Sequence, residues 1–531
     1  MARPASITVL DGHASVGGTK IAVDTGTATV LLDFGTNYQR QSHFFEEFLH
    51  PRPARGLVDL LELGLLPRLR GVYRPDLFPA TDYPDRDAGF PGEPPSAVLL
   101  SHAHLDHCGA LAYVDPSIPV YASPTTLALL RAWQETGQTN VSTEVTYVAP
   151  RTPAEGGLLQ TERGAPRRHR TYRLLGEPST GFSAAIARSP VRRGELEGPV
   201  PAAGTADPLV RSLGIDAPTV DHSLLGSHGF LLDLDGARIA YTGDVRFHGA
   251  RGPETEAFLR RLEARSPDVL IVEGTRLRRD DAEPPQGRTS EEEVRSNAEK
   301  AVAAEAGRLV IADFGPRNIE RLVTFRAVAA ATGRQLVVTA KDAYLLQLLS
   351  TTEPGIPLDF GVGGMRIWAE PTTRSPGAWS SSVTEAFGGA EIGPEEIERS
   401  PGRWIVCFSF FDANDLVDLR RAARGGLWLY SSSEAHGEEQ EFDFRRLQHW
   451  IDWAGMRARG FSVDGEGTVR FESGYHASGH ATEAELVELV RRASARQIIP
   501  VHSATPRRYE RLLGPEGARL RFPTPGTPIV V

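Results

Sequence analysis

Six consecutive residues, His102-Ala103-His104-Leu105-Asp106-His107, carry three histidines and an aspartate. They follow the apolar run Ala97-Val98-Leu99-Leu100 and lead into Gly109, the pattern of a buried strand that ends in a loop. Such loops let polar side chains converge while a rigid scaffold holds them. Imidazole nitrogen with carboxylate oxygen, and no thiolate, is a donor set that suits zinc in a catalytic site. The bland reading is a chance cluster of histidines on a solvated loop, and it fits poorly directly past a buried strand. One loop cannot close a metal site, so the rest of the chain must supply partners. His222, Asp244 and His502 each sit at the end of an apolar strand-like run and have the right chemistry. His228 and His248 compete with His222 but rank below it. Cys108 adjoins the cluster and reads as a small buried residue rather than a ligand.

The elements that must position these groups fall into two styles. Over residues 7–35, strand-like runs alternate with glycine turns, which predicts an antiparallel meander. Asp33 ends its third run, either as a turn-initiating aspartate before Gly35 or as a carboxylate that orients the histidine loop. Residues 36–95 read as a loop-rich insertion with one helical segment over 57–66. Ser123 and Pro124 are the N-cap and first residue of a predicted helix. The basic run Arg167-Arg168-His169-Arg170 and the Pro/Gly/Ala-rich stretch 189–208 read as solvated surface loops. Runs at 219–223, 229–234 and 238–244 predict three strands, the last two joined by an Asp235-Gly236 hairpin turn.

From 254 to 351 the rhythm becomes helix–strand–helix, which means a parallel sheet covered by helices. Glu273 ends the run Val269-Leu270-Ile271-Val272. Runs at 309–312, 335–338, 366–368, 404–408 and 427–430 continue the sheet, and Ser290 with Glu293 marks a helix start. At 313–318, a strand end meets a helix N-terminus. That is a candidate anion site in which Arg317 and Asn318 would meet phosphate and Asp313 would oppose it. An acidic loop at 431–439 precedes a helix reaching Ala454. The last stretch returns to the first style, with Tyr475-His476-Ala477-Ser478-Gly479-His480, a helix over 482–493, and a strand ending in His502.

With 531 residues, two or more domains are expected. No apolar run approaches the ~18 residues of a membrane helix, and the N-terminus lacks a signal-peptide core. Two cysteines far apart give no disulfide framework, so a cytoplasmic protein with no membrane partner is expected. The net charge of −10 does not advertise nucleic-acid binding, although a cleft can hold an acidic substrate against the global sign. Only 29 residues follow His502, which leaves no expected room for a further domain.

Taken together, the motifs resemble the metallo-β-lactamase fold. His102-Ala103-His104-Leu105-Asp106-His107 is similar to its signature, and His222 and Asp244 match its later ligand positions. Glu273, Ser478-Gly479-His480 and Pro500-Val501-His502-Ser503 resemble the extra motifs of the β-CASP branch, which includes ribonuclease J and the cleavage-and-polyadenylation endonuclease subunit. The His222–Asp244 and His480–His502 spacings, both 22 residues, are similar to those of ribonuclease J, although no counterpart of its separate C-terminal domain is expected. The resemblance implies an α/β fold: an αββα sandwich over 1–280, completed by 461–531, with a β-CASP domain on a mainly parallel sheet inserted at 281–460.

The resemblance also implies two zinc ions per chain, with manganese as the alternative metal. His102, His104 and His222 would hold one; Asp106, His107 and His502 the other; Asp244 would bridge both. Asp33 would support the loop, and Glu273 and His480 would join Asp106 in the catalytic machinery as a carboxylate–histidine proton donor. Ser478, Arg317 and Asn318 would contact substrate phosphate. A histidine at the His502 motif tilts the implied substrate toward RNA, single-stranded, cleaved exo- or endonucleolytically, with homo-oligomerisation a further implication. DNA cleavage and a non-catalytic RNA-processing scaffold are the alternatives, and a small-molecule hydrolase would need no Glu273–His480 pair.

Overall fold

The computed structural model describes residues 4–46, 48–79, 94–162, 164–188, 196–234, 236–277, 289–371, 377–432 and 438–531. Two sheets face each other. In the first, Ser6–Asp11, Lys20–Asp24 and Thr29–Phe34 form the antiparallel meander. Ala97–Leu99 and Val120–Ala122 then add in parallel, so that the histidine loop leaves the sheet at a strand end. In the second, Phe230–Leu234 and Ala237–Tyr241 pair antiparallel, and Val269–Val272 and Gln497–Pro500 follow in parallel.

The period-two pattern of the strands builds the layers. Ile7, Val9, Ile21, Val23, Val30, Leu32 and Leu99 meet Phe230, Leu232, Ile239, Tyr241, Ile271 and Ile499 in the core between the sheets. The outer face of the second sheet, with Leu231, Ala240, Leu270 and Ile498, is covered by the helices Gly252–Arg265 and Glu483–Ala493 through Phe258, Leu262, Leu486 and Val490. Helix Pro124–Thr136 packs outside the first sheet, capped by Ser123 as predicted. This is the αββα arrangement.

Residues between the second sheet's third and fourth strands build a separate seven-stranded sheet in which every pairing is parallel. Its central strands Val310–Asp313, Trp404–Cys407 and Leu427–Tyr430 are buried on both faces and read as nearly continuous apolar runs for that reason. Ile311, Val406 and Trp428 pack toward Phe444, Leu447 and Ile451, while Val310, Ile405 and Leu429 pack on the side of Leu322, Phe325 and Val328.

Several local expectations are corrected. Residues 219–223 do not form a strand; Thr219 makes one bridge to His228. Asp221 explains this, because its amide donates to the Thr255 hydroxyl and its carboxylate binds Arg246 and the Gly249 amide. The helix expected at 57–66 is the single turn Val58–Glu62, closed early around Leu63 and Gly64. Arg170 is not on a solvated loop but fully buried, donating to the carbonyls of Ala112, Val114 and Glu144. The 189–208 stretch includes a short edge strand, Ala202–Ala203; its residues 189–195, the hairpin residue Asp235, and 433–437 of the acidic loop lie outside the described residues.

Candidate metal centre

The ligand-type residues meet where the two facing sheets end. His102, His104, His222 and Asp244 form one group and Asp106, His107 and His502 a second, with the offered ligand atoms of each group within 4.8 Å of one another. His102 Nε2 and His222 Nε2 stand 3.1 and 3.0 Å from His104 Nδ1. Asp244 lies between the groups: its Oδ2 is 3.5 Å from His102 Nε2 and 3.1 Å from His107 Nε2. His502 Nε2 is 3.0 Å from Asp106 Oδ2.

The outward nitrogens fix which atom of each ring faces the centre. Asp33 accepts from the Ser101 amide, the Ser101 hydroxyl, the Tyr241 hydroxyl and His107 Nδ1, at 2.6–2.7 Å. Since the Ser101 hydroxyl proton goes to Asp33, its oxygen accepts from His102 Nδ1 at 2.9 Å. His222 Nδ1 donates to the Gly479 carbonyl at 2.6 Å, and His502 Nδ1 meets the Thr275 hydroxyl at 2.8 Å. The Nε2 atoms of His102, His107, His222 and His502 are therefore turned inward, and His104 presents Nδ1.

Backbone strain holds two of these residues. Asp33 (φ 56°) and His502 (φ 51°) are both left-handed, at a cost of about 1–3 kcal/mol each that the surroundings must offset. The four donors to Asp33 do so in one case. The hydrogen bond from the His502 amide to the Gly12 carbonyl, 2.7 Å, does so in the other. The Gly17-Gly18 turn closes against Asp106, whose carbonyl accepts from the Gly18 and Thr19 amides. A Cβ on Gly17 would stand 2.8 Å from the Asp106 Cβ.

Burial strips the charged form of His102, His104 and His222 of its hydration, and neighbouring imidazoles add to the effect. His102 and His222 are held well below the ordinary imidazole value and His104 is lowered to about 3. These rings are neutral, as ligands must be. Burial also works against charge on Asp106 and His107, but opposite charges nearby win: His107 and His502 lower the Asp106 carboxyl, and Asp244, then Asp106 and Asp33, raise the His107 imidazole. Among the described residues, buried Asp244 Oδ1 has no hydrogen-bond partner, and buried His107 Nε2 has none beyond its 3.1 Å ion-pair contact with Asp244 Oδ2. Unpartnered polar atoms at the focus of inward-facing lone pairs are what a cation-binding centre requires, so the residues present fit a metal.

A third group adjoins these two. His480 Nδ1 lies 3.0 and 3.2 Å from the Glu273 carboxylate oxygens and 3.9 Å from Asp244 Oδ2. Glu273 is itself held by the Val245 amide at 2.8 Å. Burial disfavours the imidazolium here, yet Glu273, then Asp244, raise the His480 value above the ordinary one.

Of the residues expected at the substrate, Arg317 reaches the metal loop and donates to the Ala103 carbonyl at 2.8 Å. Asn318 caps its helix by accepting from the Arg321 amide, and the Ser478 hydroxyl accepts from the His480 amide. His228 and His248 stay outside all three groups, bound to the carbonyls of Gly226 and Ser478. Cys108 is buried and belongs to no ligand group among the described residues. Sequence reasoning missed Ser101, Tyr241, Thr275 and the Gly17-Gly18 turn. Only Ser101 and Thr275, each next to a motif, left a local signal.

A family model described as the metallo-beta-lactamase superfamily matches residues 21–311, and one described as the Zn-dependent metallo-hydrolase RNA specificity domain matches residues 469–507. The first spans more than half of the chain. The chain belongs to the metallo-beta-lactamase superfamily. The second model covers both His480 and His502. The resemblance drawn from the motifs is borne out, and the superfamily supports a metal-dependent hydrolase. Transcription termination factor FttA of Pyrococcus horikoshii is 29% identical over 128 residues, which is 23% of this chain and 15% of that protein. A protein of unknown function from Enterococcus faecalis superposes with a TM-score of 0.68 at 21% identity, covering 100% of both chains. That likeness shows a shared fold. Among the described residues, no helix is long and apolar enough to cross a membrane.

Proposed function

We propose that this metallo-hydrolase is a ribonuclease that hydrolyses phosphodiester bonds of single-stranded RNA, using two metal ions, zinc or manganese. His102, His104 and His222 would hold one ion, Asp106, His107 and His502 the other, with Asp244 shared. Bound there, such ions acidify a water and neutralise charge on a phosphate. The observation that carries the reading is the pair His480–Glu273. It stands beside both ligand groups and beside the shared carboxylate, yet belongs to neither group.

Hydrolysis of a phosphodiester leaves an alkoxide that needs a proton. Glu273 grips His480 Nδ1 and favours the charged ring, which leaves Nε2 to hand a proton to the departing ribose oxygen. A thioesterase expels a thiolate, which can leave unprotonated, and has no such need for a braced, charged histidine. The RNA-specificity match over this segment favours RNA over DNA, and the inserted parallel sheet over 281–460 would close the cleft over the strand.

The test is digestion of matched RNA and DNA oligonucleotides labelled at either end, with zinc or manganese added back after chelation. Metal-dependent RNA cleavage is expected, and product lengths separate exo- from endonucleolytic action. Faster cleavage of DNA, or hydrolysis confined to thioesters or lactones, overturns the reading.

A further inference from the structure

His480 sits on a segment outside regular structure. Residues 478–481 belong to no strand or helix, so the direction of the His480 ring depends on what grips the backbone around it. The Ser478 hydroxyl accepts from the His480 amide at 3.1 Å, which ties the segment only to itself. The Gly479 carbonyl accepts from His222 Nδ1 at 2.6 Å. Further grips come from one short loop, residues 245–248, directly after Asp244. The Ala481 amide donates to the Val245 carbonyl at 2.6 Å, and the Val245 amide donates to Glu273. His248 Nε2 stands 2.9 Å from the Ser478 carbonyl, with Arg246 Nη1 3.5 Å away.

A carbonyl cannot donate, so the hydrogen of that bond is on His248 Nε2. Arg246, the other group near this carbonyl, is engaged with Asp221, Glu291 and Glu320. The His248 ring is buried, and its Nδ1 lies 4.0 Å from Glu485 Oε2. Glu485 closes the cap of helix Glu483–Ala493 by accepting from the Thr482 amide and hydroxyl. One imidazole therefore stands against both ends of the segment, two residues before His480 and at the helix start just after it. The loop that carries this ring is itself anchored beside His222. There the Arg246 amide donates to the Asp221 carbonyl at 2.9 Å, and the Gly249 amide to the Asp221 carboxylate at 2.8 Å.

His248 belongs to none of the three ligand groups, yet its loop joins Asp244, the brace on Glu273 and the seat of His480. We propose that His248 is a positioning residue: by holding the Ser478 carbonyl it fixes the segment that carries His480 and aims that ring at the departing oxygen. The role rests on the ribonuclease reading, which makes His480 the proton donor. A leucine would fill the same space, so the N–H is the part of the side chain that matters.

The experiment compares the wild-type chain with His248→Leu and with His248→Gln, whose side-chain amide keeps a donor at similar reach. Two substrates separate aim from damage. The ribose oxygen leaving RNA needs a proton, whereas p-nitrophenolate leaves bis(p-nitrophenyl) phosphate without one. His248→Leu is expected to lower kcat on RNA about 100-fold. KM, metal content and hydrolysis of bis(p-nitrophenyl) phosphate should keep their wild-type values, and His248→Gln should restore most of the loss. Hydrogen exchange of the metal-free chains, read by mass spectrometry over residues 476–482, should be faster in His248→Leu and return to the wild-type rate in His248→Gln. An equal fall on both substrates, a loss that His248→Gln does not repair, or exchange that neither variant changes overturns the role. Exchange that rises throughout the chain makes His248 a core residue and overturns it as well. A wild-type chain that cleaves no RNA, with exchange in the expected order, keeps the clamp on the His480 segment and sinks the ribonuclease reading. No RNA cleavage together with unchanged exchange sinks both.

Discussion

The floor of the cleft and its roof are built on opposite principles. On the floor, each inward-facing nitrogen of His102, His107, His222 and His502 is backed by a polar partner on its other side. Charge and direction are fixed there by hydrogen bonds, and two residues accept left-handed backbone to make the geometry. The roof, the inserted sheet, is held by apolar strands and packed helices and presents rings to the cleft. A surface that must hold cations needs every donor atom aimed. A surface that receives a strand needs only faces. The two meet at a seam of buried charge, where Arg246 binds Asp221 of the floor at 3.1 Å and Glu291 of the roof at 3.2 Å, and also Glu320.

The sharpest way to separate the aimed atoms from their supports is His480→Ala. If His480 is a proton donor and not a ligand, RNA cleavage should fall about 10²- to 10⁴-fold, while metal content, read by elemental analysis, stays at the wild-type value. Loss of metal in parallel with activity would place His480 among the ligands and erase the distinction between the third group and the other two.

The seam breaks next. Arg246 is fully buried, and Arg321 beside it binds Glu291 at 3.1 Å and the Ser431 hydroxyl at 2.7 Å. Arg246→Met would strand Asp221 and Glu320 without their cation. Removing one partner of a buried ion pair costs about 3–5 kcal/mol, and urea unfolding should show a loss of that order. Unchanged stability would mean that the other contacts between floor and roof, such as the packing of helices Pro124–Thr136 and Ala340–Leu349 and the Arg251–Glu353 ion pair, hold the two together without the seam.

Asp33→Asn tests the brace itself. Four donors converge on this carboxylate, and an amide turns one of its two acceptors into a donor. Supports of this kind typically change metal affinity 10- to 100-fold. The loss, measured by competition with a chelator, should fall mainly on the group containing His107, which touches Asp33 directly. Equal loss from both groups would show that Asp33 shapes the loop and not one ring.

The same contrast explains what was legible in the chain. Floor residues such as His102, His222, Asp244 and His502 are polar groups clustered at or just past the ends of apolar strands, a conflict of pattern that shows in sequence, whereas Glu273 and His480 stood out as a pair only through the motif resemblance. Tyr241 gave no such signal, because a tyrosine inside an apolar strand looks like core until the far sheet brings Asp33 to its hydroxyl. Phe410 and Phe411 were hidden for the complementary reason. They follow an apolar run and read as its continuation, and only the folded chain leaves them lining a cavity beside His104. Arg170 misled because four basic residues in a row suggest solvent, whereas backbone carbonyls enclose the last of them.

The smallest effect belongs to the roof's interior. Asp342 caps helix Ala340–Leu349 by accepting from the Thr339 amide and hydroxyl at 3.0 and 2.8 Å. Burial, with Asp412 nearby, pushes its carboxyl up to about 7 despite those bonds. An unfolded aspartate ionises near pH ~4, so between that pH and neutrality the folded chain holds a proton that the unfolded chain has lost. Stability from this group is therefore fullest at the acid end, falls as pH rises through the window, and stays low above it. Asp342→Asn keeps an acceptor for Thr339 and removes the titration. Thermal unfolding should show the variant level with the wild type near pH ~4 and more stable by on the order of 1–2 kcal/mol at pH ~8. A variant less stable at both pH values would mean that the charged cap outweighs its burial. The roof would then share the floor's reliance on buried charge.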